Sequence, residues 1–323
     1  MGKDYPDLST NPFLFEFTNK AAKHNSKILE QKRWDLEEAL RVAAPGTHLQ
    51  YGSEFRPVSD LEPLLEENEL WPKTKAMLQH GVKIPIDNLP EEVAKEDLSK
   101  GLVRGDHKGA TKQTKLLKQL ITKDIEHAFA LPITQKCAEN IKGGSFASLN
   151  IQSQWTINEK GERVKKTRLT HDQSFKGLES GISLNEQVIR EELEPLIYGF
   201  MFLRKRHMIH AMRLQFPHIT ILLYKIDLDA AFRRMHLNAT SAVKCICTTA
   251  ICAAIYLRLT FGGRLQPRRM VCNDRNHHRS SHRHHQQPAM VTNNTIRTDP
   301  KVRRHPTAHL PSAGATIQPS PPL

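Results

Sequence analysis

The stretch ITILLYKIDLDAAFRR, residues 219–234, decides the fold class. It follows Pro217, which stops the helical pattern before it, and positions 219–226 are almost continuously apolar. Such a run predicts a central strand buried on both faces. It ends in Asp227 and Asp229. An unpaired carboxylate at the end of a buried strand is costly. Such an acid is commonly the N-cap of a following helix or a ligand for a hard divalent cation. A Walker-type ATPase would also place an Asp here, but no GxxxxGK[ST] occurs. The string Gly105-Asp106-His107-Lys108-Gly109-Ala110-Thr111 lacks that spacing.

Upstream, 148–157 (SLNIQSQWTI) alternates apolar and polar, a turn follows at 158–161, and 162–170 continues outward. This predicts a β-hairpin. Its second strand carries Arg163, Lys165, Lys166 and Arg168, charges that guard an edge strand or meet an anion. Residues 184–215 predict a long helical stretch interrupted near Pro195. Its second half mixes Arg204, Lys205, Arg206, His207 and Arg213 with apolar residues. Downstream, 242–249 and 253–261 are β-like, with a loop near Ile251. Alternation puts Cys245 and Cys247 on one strand face, as packing residues.

The first 30 or so residues are polar and predict a loosely held segment. A single amphipathic helix is expected over 28–42, ending before Pro45. Short helices follow at 61–67 and 73–80, with a helix start at Pro90-Glu91-Glu92. A further helix over 116–130 is closed by Pro132. Residues 1–144 thus predict a helical region with no catalytic signature.

The 323 residues carry a formal net charge of +13, with 25% charged and only 6% aromatic residues. The charge is uneven. Residues 264–323 hold ten Lys or Arg against two acids, seven His, eight Pro and no aromatic residue. That segment predicts a disordered basic tail, because it buries too little apolar surface to offset its ordering entropy. The longest apolar run, residues 250–257, is far short of the ~18 residues of a membrane span. MGKDYPDLST lacks a signal core, Gly2 lacks the myristoylation context, and five scattered cysteines make no disulfide framework. A reduced intracellular protein is expected, nucleus or cytoplasm being open.

Lys225-Ile226-Asp227-Leu228-Asp229-Ala230-Ala231-Phe232-Arg233 resembles the first palm motif of reverse transcriptases of protist retroelements. The resemblance implies that Asp227 is the catalytic carboxylate that binds Mg²⁺ and that Phe232 gates the sugar 2′-OH. Arg168-Leu169-Thr170-His171-Asp172 resembles the fingers strand, so Lys165, Lys166 and Arg168 would grip an incoming triphosphate. Leu259-Thr260-Phe261-Gly262-Gly263 resembles the palm motif lining the templating pair, with Phe261 and Gly262 on the substrate. The three strings occur in family order. They imply reverse-transcriptase-like fingers and a partial palm with antiparallel strands over 145–263, which with the helical region 1–144 and the basic tail 264–323 read from the residues makes an α+β chain. The implied ancestral activity is RNA-directed DNA polymerisation.

The chain departs from that family at the second acidic motif, since no aromatic-x-Asp-Asp follows Gly263. One carboxylate does not hold two cations in a fixed cleft. A truncated, catalytically incomplete protein is expected, and half a palm would leave central strands without neighbours. The tail fits a reading-frame change in a decayed retroelement. It also fits a genuine basic arm, with Arg268, Arg269, Arg275, Arg279, Arg283, Arg303 and Arg304 meeting RNA or DNA phosphates without sequence preference. Its Cys272 and clustered histidines lack the apolar residues a zinc module needs. The alternative to a polymerase remnant is a non-enzymatic nucleic-acid-binding protein using the basic hairpin and the tail.

Overall fold

Thr18 opens the first helix, its side chain accepting from the Ala21 amide, and α1 (Asn19–Gln31) buries Ala21, Ala22, Asn25 and Leu29 on one face. The computed structural model describes residues 11–42, 57–158, 160–193, 199–223 and 231–263. Helices α2 (Leu36–Val42), α3 (Val58–Leu65), α4 (Trp71–His80), α5 (Glu91–Arg104), α6 (Lys108–Thr111) and α7 (Thr114–Glu126) follow. Strand β1 (Ala130–Ile133) and α8 (Gln135–Asn140) lead into the hairpin β2 (Ser148–Ile157) and β3 (Arg163–Asp172). Next come α9 (Leu184–Gln187), α10 (Gly199–Gln215), α11 (Ala239–Ala242), β4 (Ile246–Thr248) and β5 (Ala253–Tyr256). The class is α+β, as expected from the sequence.

Two antiparallel sheets organise the described residues. One is the hairpin, paired from Ser148↔Asp172 to Ile157↔Arg163. The other has strand order β1-β5-β4, with Ala130↔Tyr256 and Ile246↔Ile255 in register. Helices α1 and α7 pack on β1, and α8 on β5. The core at their junction holds Leu29, Ile121, Ile125, Leu131, Ile133, Ile246 and Ile255.

Four expectations are corrected. The helix expected over 28–42 is two helices, because Arg33 (φ 52°) and Trp34 (φ 56°) take left-handed backbone and break the helix between α1 and α2. The loosely held N-terminal segment is tied down from Asn11 onward. Phe13 is buried, and the buried Asn25 side chain exchanges hydrogen bonds with the main chain of Leu14. Pro132 lies inside β1 rather than closing a helix. The α7 helix ends at Glu126, and Pro132 is tolerated because β1 is an edge strand. Asn25 Nδ2 donates to the Pro132 carbonyl at 2.9 Å, capping that edge.

The fourth correction concerns the buried strand over 219–226. Its described part, 219–223, forms no strand and stands in solvent, with Ile219 61%, Leu222 85% and Leu223 71% exposed. The central place in the sheet belongs to β5, whose two edges are taken by β1 and β4. The outer edge of β4 is closed by Ala147 N donating to Ile246 O and Ile246 N donating to Ser145 O. With both edges of β5 taken, residues 219–223 join neither described sheet. Residues 224–230, with Asp227, and the tail 264–323 lie outside the described residues.

Candidate nucleic-acid interface

The hairpin is rooted on the loop 105–107. Ser148 Oγ donates to Gly105 O, the Leu149 amide donates to Asp106 Oδ1 at 2.9 Å, and the His107 amide donates to Leu149 O. Burial pushes the Asp106 carboxyl up to about 7, against the pull of the Leu149 amide. His107 Nε2 lies 2.8 Å from Asp172 Oδ2 at the inner end of β3. From this root the two strands run outward. Leu149, Ile151, Leu169 and His171 are buried, whereas Trp155, Ile157, Arg163, Lys165, Lys166 and Arg168 are exposed.

At the inner end, the turn after β5 closes onto β3. The His171 amide donates to Phe261 O at 2.7 Å. Gln173 Nε2 donates to Thr260 Oγ1, and Asn185 Nδ2 donates to Gly262 O. Gly262 sits at φ +123°, and a Cβ there would collide with the carbonyl oxygen of His171, so only glycine permits this approach.

The approach gathers residues from three separate segments. Phe232, in the 3₁₀ turn Ala231–Arg234, meets Phe261 edge to face with centroids 4.8 Å apart. The Arg168 guanidinium stands 5.9 Å from the Phe261 centroid, at the outer limit of a cation–π contact. Both rings are half-buried and Arg168 is exposed. The result is a half-buried aromatic pair with a cation at its rim.

Beneath it lies a buried polar layer. Arg233 Nη2 donates to Asp124 Oδ2 at 2.9 Å, Nη1 donates to Leu259 O, and the guanidinium stands 4.8 Å from the Tyr256 centroid. His171 packs edge-on against Tyr256 at 4.1 Å, and neither ring nitrogen has a hydrogen-bond partner. Burial first, then the Arg233 charge, drives the His171 pKa well below its ordinary value. A neutral imidazole with no exposed surface is a packing group, not a surface acid or base.

Of the residues expected to act together, Arg168, Phe232, Phe261 and Gly262 are brought together. Lys165, Lys166 and Arg168 are not a single grip. Alternation places Lys166 and Arg168 on one face, opposite Gln154 and Gln152, and Lys165 on the other, opposite Trp155. Asp227 and the tail arginines Arg268, Arg269, Arg275, Arg279, Arg283, Arg303 and Arg304 lie outside the described residues.

Sequence reasoning missed two features. Alternation over 148–157 marks Trp155 only as an apolar strand position, yet it is 57% exposed with the Arg163 guanidinium 5.0 Å from its ring centroid. Counting register outward from the turn would have paired it with Lys165. The partner of Arg233 is Asp124, 109 positions away, and no local signal marks it.

Among the described residues no His, Cys, Asp or Glu group of three is arranged to hold a metal ion, and Cys137, Cys245, Cys247 and Cys252 are free and buried. No described helix is long and apolar enough to cross a membrane. No family model, curated protein or solved structure matches the chain.

Proposed function

We propose that this chain is a reverse-transcriptase-like protein of retroelement type that binds RNA or DNA without sequence preference and does not polymerise. The observation that carries this reading is the meeting of Arg168, Phe232, Phe261 and Gly262, which the family resemblance assigns to one substrate surface. A cation beside a half-buried aromatic pair suits the phosphates and base faces of a nucleic acid. The 323 residues contain no aromatic-x-Asp-Asp, so Asp227 would hold Mg²⁺ as a lone carboxylate with water completing the shell. A reduced compartment inside the cell fits the free thiols.

A second reading, a nucleic-acid-binding protein without polymerase ancestry, is favoured by the exposed cations on both faces of the hairpin. Primer extension with Mg²⁺ or Mn²⁺ separates turnover from binding. The expected result is no extension by the chain or by Asp227→Asn. Extension that disappears in Asp227→Asn would overturn the inactive reading. Binding to RNA and DNA should be weak, fall steeply with salt, and be mostly lost on removing 264–323. Absence of any binding at low salt would overturn both readings.

A further inference from the structure

The hairpin has a second face that the proposed substrate surface does not use. Alternation puts Trp155 and Ile157 on that face, with Lys165 and Arg163 directly across on β3. In the outer half both are exposed, Trp155 to 57% and Ile157 to 71%. An exposed tryptophan beside an exposed isoleucine is an apolar platform that nothing in the described fold covers. The Arg163 guanidinium already lies 5.0 Å from the indole centroid, which orders both groups before anything arrives.

Cations outnumber acids on the two strands, Arg163, Lys165, Lys166 and Arg168 against Asp172. Neither strand contributes a carboxylate except Asp172, at the inner end, where it pairs with His107. The turn adds Lys160 and two acids, Glu159 and Glu162, and Glu162 receives a hydrogen bond from Asn158 Nδ2. A platform of flat apolar surface rimmed by cations is complementary to a polyanion with exposed planar faces. A nucleic-acid single strand is that ligand, because its unpaired bases offer their π-faces while the phosphates meet Arg163 and Lys165. A duplex offers phosphates but keeps its base faces stacked.

We propose that the Trp155 face of the β2–β3 hairpin binds single-stranded nucleic acid by stacking an unpaired base on the indole, with Arg163 and Lys165 holding the flanking phosphates. This rests on the nucleic-acid-binding reading above and deepens it, by adding a strand-selective contact on the face away from Lys166 and Arg168.

The test is fluorescence anisotropy of the full chain with labelled oligothymidylate of about a dozen nucleotides, beside a blunt duplex of equal length. Trp155→Ala should weaken binding to the single strand about tenfold, change binding to the duplex by less than about twofold, and leave the salt slope unaltered. Trp155→Phe should keep most of the affinity, and because position 155 is exposed, both variants should retain the parent circular dichroism. Lys165→Gln should lower the salt slope for the single strand by about one. Unchanged single-strand affinity in Trp155→Ala, or equal losses on strand and duplex, would overturn the stacking proposal while leaving nucleic-acid binding intact. A parent chain that binds neither probe would overturn both.

Discussion

Arg233 and Asp124 form an ion pair across 109 positions of sequence, Nη2 to Oδ2 at 2.9 Å, with both side chains largely withdrawn from water. The same guanidinium also donates to Leu259 O and covers Tyr256, so one side chain joins α7, the 3₁₀ turn carrying Phe232, and the end of β5. Removing it leaves a carboxylate facing protein without its partner. Arg233→Met should cost about 3 kcal/mol or more of unfolding free energy. The double variant Arg233→Met with Asp124→Leu should recover more than half of that loss, because no uncompensated charge remains. Urea titration measures both; a single variant within about 0.5 kcal/mol of the parent would contradict the pair's role.

Stability should change with pH through Asp106 and His171 in opposite senses. The unfolded Asp106 loses its proton above 3.8, whereas the folded one keeps it to about 7, so its ionisation favours unfolding progressively across that window. His171 is kept neutral by burial, so the unfolded chain takes up a proton as pH falls below 6.5 and stability is lost on the acid side. Asp106→Asn keeps an acceptor for the Leu149 amide. Its stability gain over the parent should grow from pH 4 to pH 7 and then level off, as read from urea midpoints.

Gly262→Ala should open the junction between the turn after β5 and strand β3. The φ of +123° and the collision with the His171 carbonyl both oppose a side chain there. A loss of about 2 kcal/mol or more is expected, together with weaker amide-exchange protection at His171, whose N–H bonds Phe261 O. Parent-like stability and protection would show that the turn sits farther from β3.

Asn25 closes three contacts from one buried side chain, accepting from the Leu14 amide and donating to Leu14 O and Pro132 O. Asn25→Leu should cost about 3 kcal/mol, since buried main-chain groups lose their partners. Exchange of the Leu14 amide should rise more than that of β5 amides. Equal changes at both places would argue against a local clasp.

The thiols should be inert in the folded chain. Burial raises Cys137, Cys245 and Cys252 to about 11, and Cys247 is raised well above its ordinary value by burial and nearby carboxylates. In a Cys272→Ser background, labelling by an aromatic disulfide at pH 8 should follow the opening of the chain and accelerate with urea. Fast labelling in the absence of denaturant would refute their burial.

The hairpin was legible because its determinants are local. Alternation over 148–157, the Asn158 turn and the second basic strand specify a pairing that closes on itself within 25 residues of chain, and the observed register runs from Ser148↔Asp172 to Ile157↔Arg163. Helices α5 and α7 were legible for the same reason, α5 from Pro90 with Glu91 and Glu92 in its first turn and α7 from its apolar stripe of Leu117, Ile121 and Ile125. Of the site, the sequence order of Arg168, Phe232, Phe261 and Gly262 suggested one surface through resemblance, whereas the separation of Lys165 from Lys166 and Arg168 follows from strand alternation.

What was not legible depended on neighbours. The string 219–223 is as apolar as a buried strand, and Pro132 is a helix stop in any local reading, yet the first stands exposed and the second lies in a strand. Periodicity reports which side of a segment is apolar; it does not report whether a free edge or a covering element exists elsewhere.

By itself, the sequence determined the α+β class, the hairpin and its basic strand, the uneven charge, and helices α3, α4, α5 and α7, because each follows from propensity, periodicity or composition within a short window. Only the tertiary structure decided that β5 holds the centre of its sheet, that Asn25 seals the edge at Pro132, and that Arg233 finds Asp124. The same folding sets Phe232 against Phe261 under Arg168 and leaves Trp155 in solvent on the other face. Those outcomes turn on which of several competing partners satisfies a buried hydrogen bond, charge or strand edge, and that competition is settled only when residues far apart in the chain are packed together.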